Sequence, residues 1–320
     1  MTWVSKLKSL GRDSLMRLLA LLVPAKWLAD NRYFSLWEKK GIHVTPIGDY
    51  EPIPDTRTLK EMLWKKRSNL TGVRMNEEGQ IKLLDKFVRE FKAEYDQLPL
   101  YENELSKPYE YFIHNCKFEG VDGEILYSFI RHLKPKKIYE VGSGHSTRLS
   151  AQASLKNRAL GHGETELIAF EPYPVDFLKK DFPGLTKLVP TLIQDVPVSE
   201  FEKLRENDIL FIDSSHVVNI GGDVTYEILE IFPRLSKGVV IHVHDIFIPS
   251  EYPKEWVLKN HWFFAEQYLF QAFLSFNDSF EVLWAASYMH LNHPDRLERA
   301  FRSYRRDRWW PGSFWIRKIN

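Results

Sequence analysis

The chain has 320 residues, with 44 Lys and Arg against 43 Asp and Glu, a formal net charge of +1 and 44% apolar residues. That length admits one large domain with an extension, or two domains, and the apolar share excludes a disordered chain. Near-neutrality argues against a dedicated duplex nucleic-acid binder, which needs a basic excess to displace phosphate counterions; the single cysteine, Cys116, excludes an internal disulfide and points to a reducing compartment or indifference to one, with a cytoplasmic location expected.

At the start of the chain, Lys6, Lys8 and Arg12 precede an apolar stretch at 15–25 that Arg17 interrupts. The stretch is shorter than the roughly 20 apolar residues of a spanning helix and lacks the clean run and cleavage site of a secretory signal. An amphipathic helix, lying on a surface or packed on the protein's own body, fits it. Residues 1–40 hold eight basic and three acidic side chains, which leaves peripheral contact with an anionic membrane open.

Residues 1–105 read as a helical N-terminal extension or cap, with a proline-containing connector at 46–55. Within it, Leu83, Leu84, Phe87, Phe91 and Tyr95 share one helix face. From about 120 the pattern changes. Helices are expected at 121–133, 146–159, 224–232 and 262–276; strands at 137–141, 165–171, 208–213, 238–243, 280–285 and 313–319; and a weaker strand at 185–193. Strands that are apolar throughout and alternate with helices make an α/β, doubly wound, Rossmann-like sheet over 106–320, closed by an extra strand pair whose last member is antiparallel. Ligands in such sheets lie beyond the carboxyl ends of the strands, where the winding reverses.

Four strand ends therefore belong together. The first is Glu140-Val141-Gly142-Ser143-Gly144-His145-Ser146-Thr147, where the glycines permit a tight turn and close backbone approach and the next helix offers free N–H groups. Thr147 stands where a dinucleotide fingerprint has its third glycine. The second is Glu171, a carboxylate placed to accept ribose hydroxyls. The third strand delivers Asp213 and His216, and the fourth delivers His244 and Asp245. Two carboxylates and two imidazoles fit a divalent metal such as Mg²⁺, a metal-free acid/base set, or a network that merely closes the strand ends.

With its acid-x-Gly-x-Gly motif at 140–144, the sequence resembles the class I methyltransferases that use S-adenosylmethionine. Over 120–260 it is similar to the branch with small-molecule and sugar O-methyltransferases and cephalosporin-hydroxylase-like proteins. The resemblance implies that Glu140, Gly142, Gly144, Ser146, Thr147, Glu171 and Asp213 hold the cofactor, with Asp195 against the adenine amino group unless it only caps a loop. It also implies a metal on Asp213, His244 and Asp245, although His244 departs from the acid usual there; His216 with Asp245 is the metal-free base and partner. Asn115, Phe118 and Asp122 stand where a cap folds over the cofactor. The expected activity is O-methylation of a small molecule or glycan. A nicotinamide-dependent oxidoreductase and a non-catalytic scaffold are the competing readings.

Downstream, the proline-punctuated aromatic segment 246–256 suits a loop closing over a substrate. Glu266, Gln267 and Tyr268 read as solvent-facing helix positions. The arginine-rich tail at 296–308 reads as a solvated face, and the turn Trp309-Trp310-Pro311-Gly312 as an aromatic wall for a sugar or an anionic acceptor.

Overall fold

The computed structural model describes residues 3–107, 109–180, 182–308 and 310–320, with side chains from residue 11 onward. Trp309 and the side chains of Lys6 and Lys8 lie outside the described set. The chain divides into two compact units, Met1–Lys60 and Glu61–Asn320. The division falls at 60 rather than 105 because Leu84, Phe87, Phe91 and Tyr95, on the helix Glu77–Tyr95, are core residues of the second unit.

In the first unit the main element is the helix Trp3–Leu22, followed by the short helices Ala25–Leu28 and Phe34–Glu38. No described residue between 11 and 60 is buried.

The second unit is built on seven strands: β1 Lys137–Val141, β2 Glu166–Phe170, β3 Lys187–Val189, β4 Ile209–Ile212, β5 Val240–Val243, β6 Phe280–Ala285 and β7 Phe314–Lys318. Their order is β3-β2-β1-β4-β5-β7-β6, with β7 antiparallel to both its neighbours. This is the doubly wound, Rossmann-like α/β sheet expected, with its last strand antiparallel. Strands buried on both faces need apolar residues at every position, and here alternate residues feed two cores. Ile138, Leu167, Phe211 and Trp315 pack with the helices Glu77–Tyr95, Asp122–Leu133 and His145–Ala159. Val141, Ile168, Leu210 and Ile241 pack with Val224, Ile228 and Phe270 on the opposite face.

The weaker strand expected at 185–193 is confined to Lys187–Val189, and two further segments differ in extent. The helix expected at 262–276 is confined to Glu266–Leu274, because Trp262 and Phe264 turn towards other rings instead of continuing a helical face. The arginine-rich tail is helical only over Pro294–Ala300. A helix at Ala286–Asn292, not expected, starts directly after β6.

Candidate functional site

The winding reverses between β1 and β4, so the loops after these strands flank the crevice where ligands bind. Gly142 has a φ of +74°, and a Cβ there would lie 1.7 Å from the Asp213 carbonyl oxygen. Only glycine lets the two loops touch. A Cβ on Gly144, by contrast, would meet nothing within 4 Å, so that glycine leaves open space above the loop.

Glu140 is fully buried, and one of its oxygens accepts hydrogen bonds from Ser146 Oγ (2.6 Å) and Thr147 Oγ1 (2.9 Å). Thr147 Oγ1 also accepts from the Gly144 N–H at 3.0 Å. Ser146 and Thr147 thus stiffen the glycine turn from within, and their hydroxyls are committed to it rather than offered to a ligand. Burial, with Asp213 and Glu171 nearby, pushes the Glu140 carboxyl up to about 8 against the pull of the two hydroxyls.

Glu171 accepts the backbone N–H of Ser143 at 3.0 Å and that of Tyr173 at 2.8 Å. It helps line a cavity of about 300 Å³ with Gly142, Leu192, Gln194 and Asp213. Asp195 does not line this cavity: it is exposed, at the end of the short helical turn Ile193–Asp195. Its neighbour Gln194 faces in, with Oε1 buried and unpartnered. The two sit on adjacent positions of a tight turn, and hydrophobic pattern alone does not say which points inward.

A second cavity, of about 410 Å³, adjoins the first through Asp213 and is lined by Asp122, Asp213, His216, His244 and Asp245 facing Phe247, Trp256, Trp262, Phe264 and Trp310. The rings hold one another edge to face, Trp256 lying 5.2 Å from Phe247 and 5.4 Å from Trp262. The aromatic wall expected at 309–312 is therefore present through Trp310, and the loop after β5 supplies most of the rest. Asp122 closes the floor, accepting the N–H groups of Gly312 (2.9 Å) and Ser313 (3.0 Å). Asn115 instead braces its own turn, accepting the Phe118 N–H at 2.8 Å, and Phe118 packs 5.0 Å from the His244 ring.

At the meeting point of the cavities, His216 Nε2 lies 3.2 Å from Asp213 Oδ1 and 3.6 Å from Asp245 Oδ2, while its Nδ1 bonds Glu266 Oε2 at 2.8 Å. One ligand atom from each of Asp213, His216 and Asp245 falls within 4.8 Å of the others. His216 (φ +61°) and Asp245 (φ +56°) both occupy the left-handed region, a strain that persists only where surrounding contacts enforce it.

Among the described residues, the grouping whose ligand atoms come together is Asp213, His216 and Asp245, in which His216 takes the place expected of His244. His244 Nε2 stands 3.6 Å from Asp245, but its Nδ1 is buried without a partner and its ring packs between Phe118 and His242. Glu266 and Gln267, expected on a solvent face, are buried. Glu266 orients His216, and Gln267 fixes the loop after β5 by accepting the Phe247 N–H at 3.1 Å. Tyr268 is exposed as expected. A first-turn carboxylate following an aromatic run was the available signal for Glu266, but it reads equally as a helix-dipole acid.

Burial alone would lower the His216 imidazole, yet Asp213, Glu266 and Asp245 outweigh it and hold it well above its ordinary value. These carboxylates favour the imidazolium form of the ring. His244 is also raised, Asp245, Asp213 and Asp122 outweighing its burial. Burial raises Asp245, Glu266 and Glu227, the last behind the site and bonded by Ser214 Oγ at 3.0 Å. So many buried carboxyl groups suit a cation, whose charge would favour their ionised forms. The donor set, with a carboxylate on the far nitrogen of the ligating histidine, has the make-up of a divalent-metal site.

Residues 139–246 match the model of a family described as a methyltransferase domain. An uncharacterized protein of Archaeoglobus fulgidus is 30% identical over 167 residues, which cover 50% of this chain and 73% of that protein. Among solved structures, the O-methyltransferase from Bacillus cereus in complex with SAH aligns at a TM-score of 0.34 and 12% identity, over 75% of this chain and 91% of that one.

Proposed function

We propose, on the premise that this chain carries a methyltransferase domain and belongs to one family with the Archaeoglobus fulgidus protein, that it transfers the methyl group of S-adenosylmethionine to a hydroxyl of a small molecule or glycan. The observation that carries this reading is the pair of cavities meeting at Asp213, one beside the glycine turn and one walled by aromatic rings. Bound S-adenosylmethionine would supply the electrophilic methyl group. The open space above Gly144, the Glu171 carboxylate and the unpartnered Gln194 Oε1 fit its nucleoside and tail.

The rest of the task belongs to the acceptor cavity. Trp256, Trp262 and Trp310 offer flat apolar faces to a ring. Asp213, His216 and Asp245 would hold a divalent cation, whose chemistry is to make an acceptor hydroxyl more acidic, and Glu266 keeps the His216 ring oriented towards it. A bound cation's charge would favour the neutral ring of His244, which lies beside the cavity next to Asp245 and would then take the released proton at Nε2. Bringing two reactants together in one space supplies most of the acceleration, and removal of one proton supplies a smaller factor.

Calorimetric titration with S-adenosylmethionine and S-adenosylhomocysteine, followed by a screen of hydroxylated acceptors with and without Mn²⁺, is the test. Micromolar cofactor binding and metal-stimulated transfer are expected. No cofactor binding at millimolar concentration removes the reading.

A further inference from the structure

The helix Trp3–Leu22 is exposed at every described side chain from Gly11 to Leu22. Leu21 is 83% exposed and Leu22 67%, and Leu15, Leu18 and Leu19 are exposed with them. An exposed apolar surface this continuous marks an interaction site rather than ordinary surface. At about 100° per residue, Leu15, Leu18, Leu19, Leu21 and Leu22 fall within one arc of roughly 160°, which also holds the small residues Gly11 and Ser14. Arg12 borders that arc beyond Leu19 and Arg17 borders it beyond Leu21, while Asp13, Met16 and Ala20 occupy the far side.

We propose that this helix is a docking element for an anionic lipid surface, lying in the interfacial plane with its leucine arc down. Three observations select that partner. The arc is flanked by cations on both edges, in a segment where residues 1–40 hold eight basic and three acidic side chains; such edges meet anionic headgroups while the guanidinium stems lie along the apolar boundary. A second copy is a poor partner, because pairing two such faces in either orientation sets Arg12 and Arg17 against arginines, without the complementary edge charges that paired helices use. Among the described residues no helix is long and apolar enough to cross a membrane, so a helix of 20 residues, about 30 Å, lies along the surface. Beyond it, Lys26 and Trp27, the latter 61% exposed, add a basic and an aromatic side chain of the kind found at membrane interfaces.

Co-sedimentation of the full chain with phosphatidylcholine vesicles, and with phosphatidylcholine vesicles containing phosphatidylglycerol, tests the proposal. The protein is expected to pellet with the mixed vesicles alone and to be released at about 1 M salt, where the screening length is roughly 3 Å. Leu18→Gln with Leu22→Gln, and separately Arg12→Glu with Arg17→Glu, should each weaken vesicle binding about tenfold or more. Because these side chains are exposed, the thermal midpoint should not move, and an unmoved midpoint rules out misfolding as the cause. The proposal is overturned by failure to pellet with mixed vesicles, by equal pelleting with neutral ones, or by a dimer in light scattering that the leucine variant splits, since a second copy would then cover the face.

Discussion

At the scale of single residues, Glu140 shows how a motif position can be legible while its role is not. An acid two positions before a glycine turn is readable from the sequence, and so is the need for Gly142, whose Cβ would strike the Asp213 carbonyl. The orientation of Glu140 inward to Ser146 and Thr147 depends on the helix that follows and was not readable. It has a consequence for stability. The folded Glu140 holds its proton to about 8, against an ordinary value of 4.5, so the folded state binds a proton that the unfolded chain releases. The associated stabilisation is fully present below about pH 4.5 and is lost as pH rises through about 8. Glu140→Gln keeps an oxygen acceptor for both hydroxyls and removes the titration. Denaturant unfolding of both proteins without ligand should show the variant gaining on the wild type by a few kcal/mol between about pH 5 and about pH 8. Taking the difference between the two proteins cancels other buried acids such as Glu124, itself raised to about 7. Parallel curves would show that Glu140 is ionised in the fold.

At the scale of elements, the strand ends were legible because an apolar run stops where the chain leaves the sheet, and the next polar residue is held at the ligand edge. Asp213 follows β4 in this way, and His244 with Asp245 follow β5. What completes the site comes from outside that logic: the helix Glu266–Leu274 returns fifty residues later to place Glu266 on His216 Nδ1. No local pattern encodes that return, which is set by Phe270 and Leu274 packing into the core. The same reason hid Gln194, whose inward turn follows from where β3 ends. If Glu266 orients a metal-ligating ring, Glu266→Gln should leave the thermal midpoint nearly unchanged and weaken Mn²⁺ binding by about 10- to 100-fold. Calorimetric or paramagnetic titration with Mn²⁺ reads this without any turnover. Unaltered Mn²⁺ affinity would reduce Glu266 to a packing and hydrogen-bonding role.

For the whole molecule, periodicity revealed the sheet, while the pattern changes near 105 and the compact division lies at 60. A change of pattern near 105 marks where strands begin, whereas the boundary of a folding unit is set by which side chains the core cannot lose. Leu70, Met75, Leu84, Phe87, Phe91, Tyr95 and Leu98 precede residue 105 and are buried in the two cores, while no described residue between 11 and 60 is buried. Two truncations separate these definitions. A chain of residues 61–320 retains every core residue and should unfold in one cooperative transition with a midpoint within a few degrees of the full chain, since loss of exposed segments costs under about 1 kcal/mol. A chain of 106–320 opens the face that Phe87 and Phe91 cover. Removing a single buried phenylalanine side chain costs about 3–5 kcal/mol, and losing several together exceeds the 5–15 kcal/mol that holds a typical domain folded. It should therefore lack a cooperative transition in differential scanning calorimetry. A cooperative 106–320 would return the boundary to the place where the pattern changes.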